Sequence, residues 1–148
     1  MSARKTFSTV DDAYLAQMIA EGGDRVVYVA PGLGPLTASA LAKAMARQSI
    51  AVTIILDADV DTCRIGYGDP GGLSALHAEA TRQRFPLRRH AGLRIGLLAV
   101  DENLVVWSPT ARCLEADRVG DQSNALTLSG PLVDEIVAYL APMLLGSG

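Results

Sequence analysis

The side chains with the most chemistry to offer lie between Arg82 and Thr110. Five arginines fall in that stretch (Arg82, Arg84, Arg88, Arg89 and Arg94) together with His90, and no acid occurs between Glu79 and Asp101. Guanidinium forks bind phosphate oxygens two at a time, so this run is where a phosphate-bearing partner meets concentrated countercharge. We take Arg82, Arg84, Arg88, Arg89 and His90 as a candidate basic patch for phosphate or nucleic acid. The competing reading is a solvated helix end followed by an edge strand that its charges protect from pairing. Just beyond lies GLRIGLLAVDENLVVWSPT, where Arg94 enters a first apolar run, Asp101 stands at a turn, and Ser108 and Thr110 leave a second run. Arg64 and Tyr67, in the glycine-rich stretch CRIGYGDPGG, complete a candidate ligand-binding set with Arg94, Asp101, Ser108 and Thr110. For Arg94 and Asp101 the alternative is an ion pair that serves stability and touches no ligand.

Nucleophiles and general bases are scarce. The only histidines are His77 and His90, and the only lysines Lys5 and Lys43. Arginine has no lone pair to offer. Asp57, Asp59 and Asp61 alternate at the end of an apolar run, but the stretch lacks the glycine and glutamate of an EF-hand loop and reads as a solvated strand end. Cys63 and Cys113 match no metal spacing and form no disulfide framework. No metal and no cofactor are expected. PGLGP, at positions 31–35, has the glycine-rich character of a phosphate-cradling turn between strand and helix. Pro31 and Pro35 each remove an N–H donor, and the P-loop lysine is missing.

The elements that must position these residues are legible in outline. Spacing predicts a helix over Val10–Glu21, a buried strand over Arg25–Ala30 and a helix over Leu36–Gln48 with Leu36, Leu41, Ala42 and Met45 inward. A second buried strand follows over Ser49–Leu56, then a helix from about Gly72 to Arg84 and a short strand carrying PLRRH. Ile95–Val100 and Leu104–Trp107 form a hairpin of two largely buried strands around Asp101-Glu102-Asn103. The stretch 111–126 is expected to cross the surface with little regular structure. A final helix starts at Ser129-Gly130-Pro131, and its wide apolar face suggests self-association or contact with a further domain. At 148 residues and 49% apolar content the chain reads as one globular domain, or the first part of a longer protein. A net charge of −3 argues against non-specific coating of nucleic acid. No secretory signal or membrane-length apolar stretch is present, which leaves a reducing, cytoplasmic setting as the expectation.

The order of strands, helices and polar residues resembles the phospholipase D superfamily, whose signature runs His-x-Lys-x4-Asp-x6-Gly-Ser. Aligned on Asp101, the histidine position holds Arg94, the lysine position Gly96, and the Gly-Ser pair falls on Ser108-Pro109. The resemblance covers about Val10 to Thr110. It implies an α/β fold corresponding to one repeat of that superfamily, a mixed central β-sheet flanked by helices on both faces. In the family the histidine attacks phosphorus, the lysine neutralises phosphate oxygens, and two motif copies meet across a two-fold axis. With arginine and glycine at those positions the reading is a degenerate, non-catalytic domain. It would form a homodimer and act in recognition or regulation, binding a phosphate-containing ligand or nucleic acid. A phosphodiesterase or nuclease with a non-standard site is the alternative. A nucleotide-binding α/β domain using the PGLGP turn is the second.

Overall fold

The computed structural model describes residues 4–8, 10–47, 49–57, 70–89, 95–107 and 125–129. Their elements, in chain order, are β1 (Arg4–Ser8), α1 (Asp12–Ala20), β2 (Arg25–Ala30), α2 (Pro35–Met45), β3 (Ala51–Leu56), α3 (Pro70–Gln83), β4 (Arg88–Arg89), β5 (Gly96–Val100), β6 (Asn103–Trp107) and β7 (Ala125–Ser129). The strands form one mixed sheet in the order β1-β7-β6-β5-β2-β3-β4. β2, β3 and β4 run parallel, and β5, β6, β7 and β1 continue from β2 in antiparallel steps.

Local chemistry sets the helix ends. The Asp11 carboxylate accepts the Tyr14 N–H (2.8 Å) as the N-cap of α1, while Leu15 and Ile19 turn one face inward. α2 starts at Pro35, whose missing N–H costs nothing in a first turn. α3 ends at Arg84 in the left-handed region (φ 56°), with Phe85 N–H bonded to Ala80 O (2.8 Å) and Arg84 N–H to Thr81 O (3.2 Å). That is the Schellman arrangement with an arginine where glycine is usual, and Pro86 follows it.

The crossovers β2-α2-β3 and β3-α3-β4 both step the same way across the sheet, and the right-handed rule places α2 and α3 on one face. α2 packs on both α1 and α3, so the three described helices make one layer. Tyr28, Ile54, Leu56, Leu98, Val100, Val105 and Trp107 meet that layer in a single core with Ile19, Leu41 and Leu76. Val29, Ile55, Leu97, Ala99 and Leu104, which alternate with them along the strands, are buried on the opposite face as well. A sheet covered on both sides requires this, and it explains why β2, β3 and β5 read as unbroken apolar runs.

Three expectations are corrected. β7 lies where the sequence suggested irregular chain and then a helix start, and β1 had no counterpart in the reading. Among the described residues these strands pair only with each other and with β6. Leu36, expected inside, is 52% exposed. The final helix lies outside the described residues.

Candidate functional site

The register defines two ends of the sheet. Val26 faces Val100 and Val29 faces Leu97, so the C-terminal ends of β2 and β3 lie beside the start of β5. Gly96 faces Trp107, and Leu56 faces Arg89, which brings the end of β6 and the end of β4 to the same place. Open α/β sheets bind ligands beyond the carboxyl ends of their parallel strands. The chain segments carrying Arg64, Tyr67, His90, Arg94, Ser108 and Thr110 are all entered from this end, and those six residues lie outside the described set. Arg82, Arg84, Arg88 and Arg89 are described, and all four are exposed. Arg82 is partly committed, since its guanidinium bonds the Glu79 carboxylate, which raises the arginine's pKa and lowers the glutamate's. Arg88 and Arg89 are neighbours on the edge strand β4 and therefore point to opposite sides of it.

Asp57 belongs to the same end. It directly follows β3 and is 4% exposed, so the expectation of a solvated strand end fails for this residue. The run TIIL, apolar on both faces, carried the signal, because the next position continues a buried strand. Asp59 and Asp61 lie outside the described residues. Among the described residues no cluster of potential ligands could hold a metal, and no helix is long and apolar enough to cross a membrane.

Gly96 and Trp107 are cross-strand partners on the helix-covered face. A Cβ built on Gly96 would lie under 3.0 Å from Cε2, Cζ2 and Cδ2 of the indole. The ring therefore occupies the space any side chain at position 96 would need. Its own place is fixed by Tyr28, with ring centroids 6.0 Å apart and tilted by 45°, and Trp107 is 8% exposed. Sequence reasoning noted the glycine and missed the ring that explains it. Glycine inside a strand often marks such a close approach.

Asp101 stands at the other end of the hairpin. β5 and β6 have five residues each, so the turn lies roughly 16 Å from the Gly96–Trp107 pair. Its backbone is left-handed (φ 53°), as a tight two-residue turn demands. Its carboxylate accepts the N–H groups of Asp24 (2.7 Å), Gly23 (3.0 Å) and Arg25 (3.1 Å), and Arg25 donates back to the Asp101 carbonyl. Burial by itself would push the carboxyl pKa up. The amides of Asp24, Gly23 and Arg25, with the Arg25 charge, outweigh it and hold the group below the usual value. Asp101 thus clamps the hairpin turn to the start of β2.

The PGLGP turn has an internal anion. Asp12, from α1, accepts the N–H groups of Leu36 (2.8 Å) and Thr37 (2.9 Å) and the Thr37 hydroxyl (2.6 Å) at the first turn of α2. Gly34 makes room for it, since a Cβ there would lie under 3.0 Å from the carboxyl group. The Tyr28 hydroxyl donates to Gly32 O (2.8 Å), and burial, then the Asp12 charge, drives its pKa up. A phosphate at this helix terminus would have to displace a carboxylate of the same chain, which removes the physical basis for nucleotide binding at the turn.

No protein-family model and no curated protein matches the chain. Its fold does match solved structures. Nuc from Salmonella typhimurium, a phospholipase D family member, aligns with a TM-score of 0.63 and 16% identity over 93% of this chain and 90% of its own. TrmBL2, an archaeal chromatin protein with a described mode of DNA binding, aligns with a TM-score of 0.57 and 10% identity over 99% of this chain and 52% of its own. The chain has a phospholipase D-like α/β fold.

Proposed function

We propose that this chain is a non-catalytic phospholipase D-like module that self-associates and holds a phosphate-bearing partner, nucleic acid foremost, at the carboxyl end of its parallel strands. The observation that carries the reading is the indole of Trp107 lying where a side chain at position 96 would go. In the resembled motif that position is a lysine; here an apolar ring fills the space. Arg94, at the nucleophile position, is a fixed cation that can hold an anion but cannot attack phosphorus. Arg64, Tyr67, Ser108 and Thr110 are proposed to line the pocket with it. Asp101 is bound up in the turn clamp and contributes through the hairpin's position rather than by touching the partner.

Two further observations support nucleic acid as the partner. Arg88 and Arg89 project exposed charge at this end of the sheet, and a fold neighbour is a DNA-binding chromatin protein. The test is fluorescence anisotropy of labelled duplex and single-stranded DNA against salt. Each arginine lost from the contact lowers the slope of log K on log salt by about 1, so the Arg88→Ser/Arg89→Ser double variant is expected to lose about 2. An unchanged slope removes this patch from the interface. Turnover of a chromogenic phosphodiester, or a phosphoenzyme trapped on His77 or His90, overturns the non-catalytic reading.

A further inference from the structure

Three large apolar side chains are exposed among the described residues: Tyr14 (41%), Leu36 (52%) and Ile95 (53%). Single exposed apolar residues scattered over a surface are ordinary. These three are not scattered. α2 leaves the carboxyl end of β2 through positions 31–34, so Leu36, in its first turn, stands at the carboxyl end of the parallel strands. Asp12 accepts the Leu36 and Thr37 N–H groups, which puts the first turn of α1, and Tyr14 with it, at the same end. Side chains tilt toward the N-terminus of their helix, so both residues lean out from that end. Continuing the β2–β5 register by two rungs sets Ile95 level with Pro31, at the start of the turn that leads to Leu36. The phosphate site as read above uses none of the three.

Charge divides this end of the sheet. Arg88 and Arg89 lie on β4, three strands from β5 and so roughly 14 Å away. The first turns of α1 and α2 contain no lysine or arginine; they hold Asp11, which is exposed, and Asp12, which is spent on α2. Phosphate is therefore drawn to the β4 side and repelled from the helix corner. A ligand that suits both has anionic groups on one side and flat, neutral groups on the other.

We propose that the nucleic acid bound here is single-stranded, with its backbone along Arg88 and Arg89 and its unstacked bases toward Leu36, Ile95 and the ring of Tyr14. The inference rests on the phosphate-site reading above and narrows its partner. A duplex hides its base faces in the stack and presents phosphates, sugars and base edges, so it offers an exposed tyrosine, leucine and isoleucine nothing flat to cover. Unpaired bases present those faces, and stacking on an aromatic ring adds affinity without regard to sequence. An anionic membrane also combines charge with apolar matter, but burying Tyr14 and Leu36 in it would press Asp11 against its headgroups.

Fluorescence anisotropy at fixed salt compares labelled oligothymidylate of about 12 nucleotides with a duplex of the same length. The wild-type chain is expected to prefer the single strand at least tenfold. Tyr14→Ser/Leu36→Ser should lower that ratio about tenfold, since a stacked base contributes a factor of roughly 5 to 150. Circular dichroism checks the fold. Ile95→Ser, on a different element, should lower the ratio about threefold and decides alone if the helix double variant fails to fold. Equal affinity for the two forms, or a ratio that these variants leave intact, overturns the proposal while the phosphate site stands. Binding of neither form removes both. Binding to phosphatidylglycerol vesicles that the helix double variant abolishes, with no preference for single strands, assigns these residues to a lipid surface and likewise overturns the proposal.

Discussion

Substituting Asp101 tests whether the motif-like aspartate is a structural clamp. In Asp101→Asn the remaining carbonyl oxygen can keep the Asp24 and Arg25 amides, but the new amino group faces the Gly23 N–H, and the charge behind all three bonds is gone. Hydrogen bonds to a charged acceptor contribute about 1.5–3 kcal/mol and neutral ones about 0.5–1.5, so the loss should be about 2 kcal/mol. Asparagine tolerates the left-handed backbone, which adds no strain. Asp101→Gly removes every acceptor while keeping the backbone comfortable, for about 3 kcal/mol, and Asp101→Ala adds about 1 kcal/mol for a Cβ at positive φ. Equilibrium urea unfolding, followed by fluorescence of Trp107, the only tryptophan, measures the series. The expected order of stability is wild type, Asn, Gly, Ala, with DNA affinity of the folded Asn variant unchanged. An Asn variant within about 0.5 kcal/mol of wild type would refute the clamp, because that is the scatter of an ordinary surface substitution. Lost DNA binding with stability intact would return Asp101 to the ligand site.

Acid stability follows from the same group: its folded pKa is depressed, so its contribution is present above the unfolded value of about 3.9 and is lost as pH falls through the folded value. The stability gap between wild type and Asp101→Asn should therefore narrow below about pH 4; a gap that widens there contradicts the depressed pKa. Gly96→Ala forces a Cβ into the indole and should cost about 3 kcal/mol, with a smaller penalty in a Trp107→Leu background, measured as a double-mutant cycle. Asp12→Asn removes the charged cap of α2 and should cost about 1–2 kcal/mol in urea unfolding. ATP at about 1 mM should leave the wild-type Tm unchanged, and a clear upward shift would revive nucleotide binding at the turn.

Much of the fold was legible because burial wrote itself into composition. β2, β3 and β5 are apolar on both faces, and the hairpin is announced by two such runs around a polar turn. β1 and β7 were not legible. RKTFS and ALTLS are five residues each, too short to declare a period, and become strands through partners at the opposite end of the sequence. The site was legible in part. Arg88 and Arg89 of β4 stand exposed at the carboxyl end of the parallel strands, whereas Arg82 and Arg84 lie at the opposite end of that crossover, a separation that charge spacing alone does not show; Asp57 was expected in solvent, and the role of Trp107 was passed over. Asp101 was recognised as a turn residue, but its amide partners lie 76–78 positions away, where no local pattern could have shown them. Leu36 looked internal because it continued an apolar helical stripe, yet in the first turn of α2 it is exposed.

The pairing of β1 with β7 has a kinetic consequence. Arg4 lies opposite Ser129, so the outermost rung of the sheet closes a loop of nearly the whole sequence. The units β2-α2-β3 and the β5–β6 hairpin involve far shorter closures and can assemble while the chain is still being synthesised. β1 must wait, unpaired, until β7 has emerged and docked on β6. During that interval its basic N-terminal residues, Arg4 and Lys5, are the local guard against misplaced strand pairing.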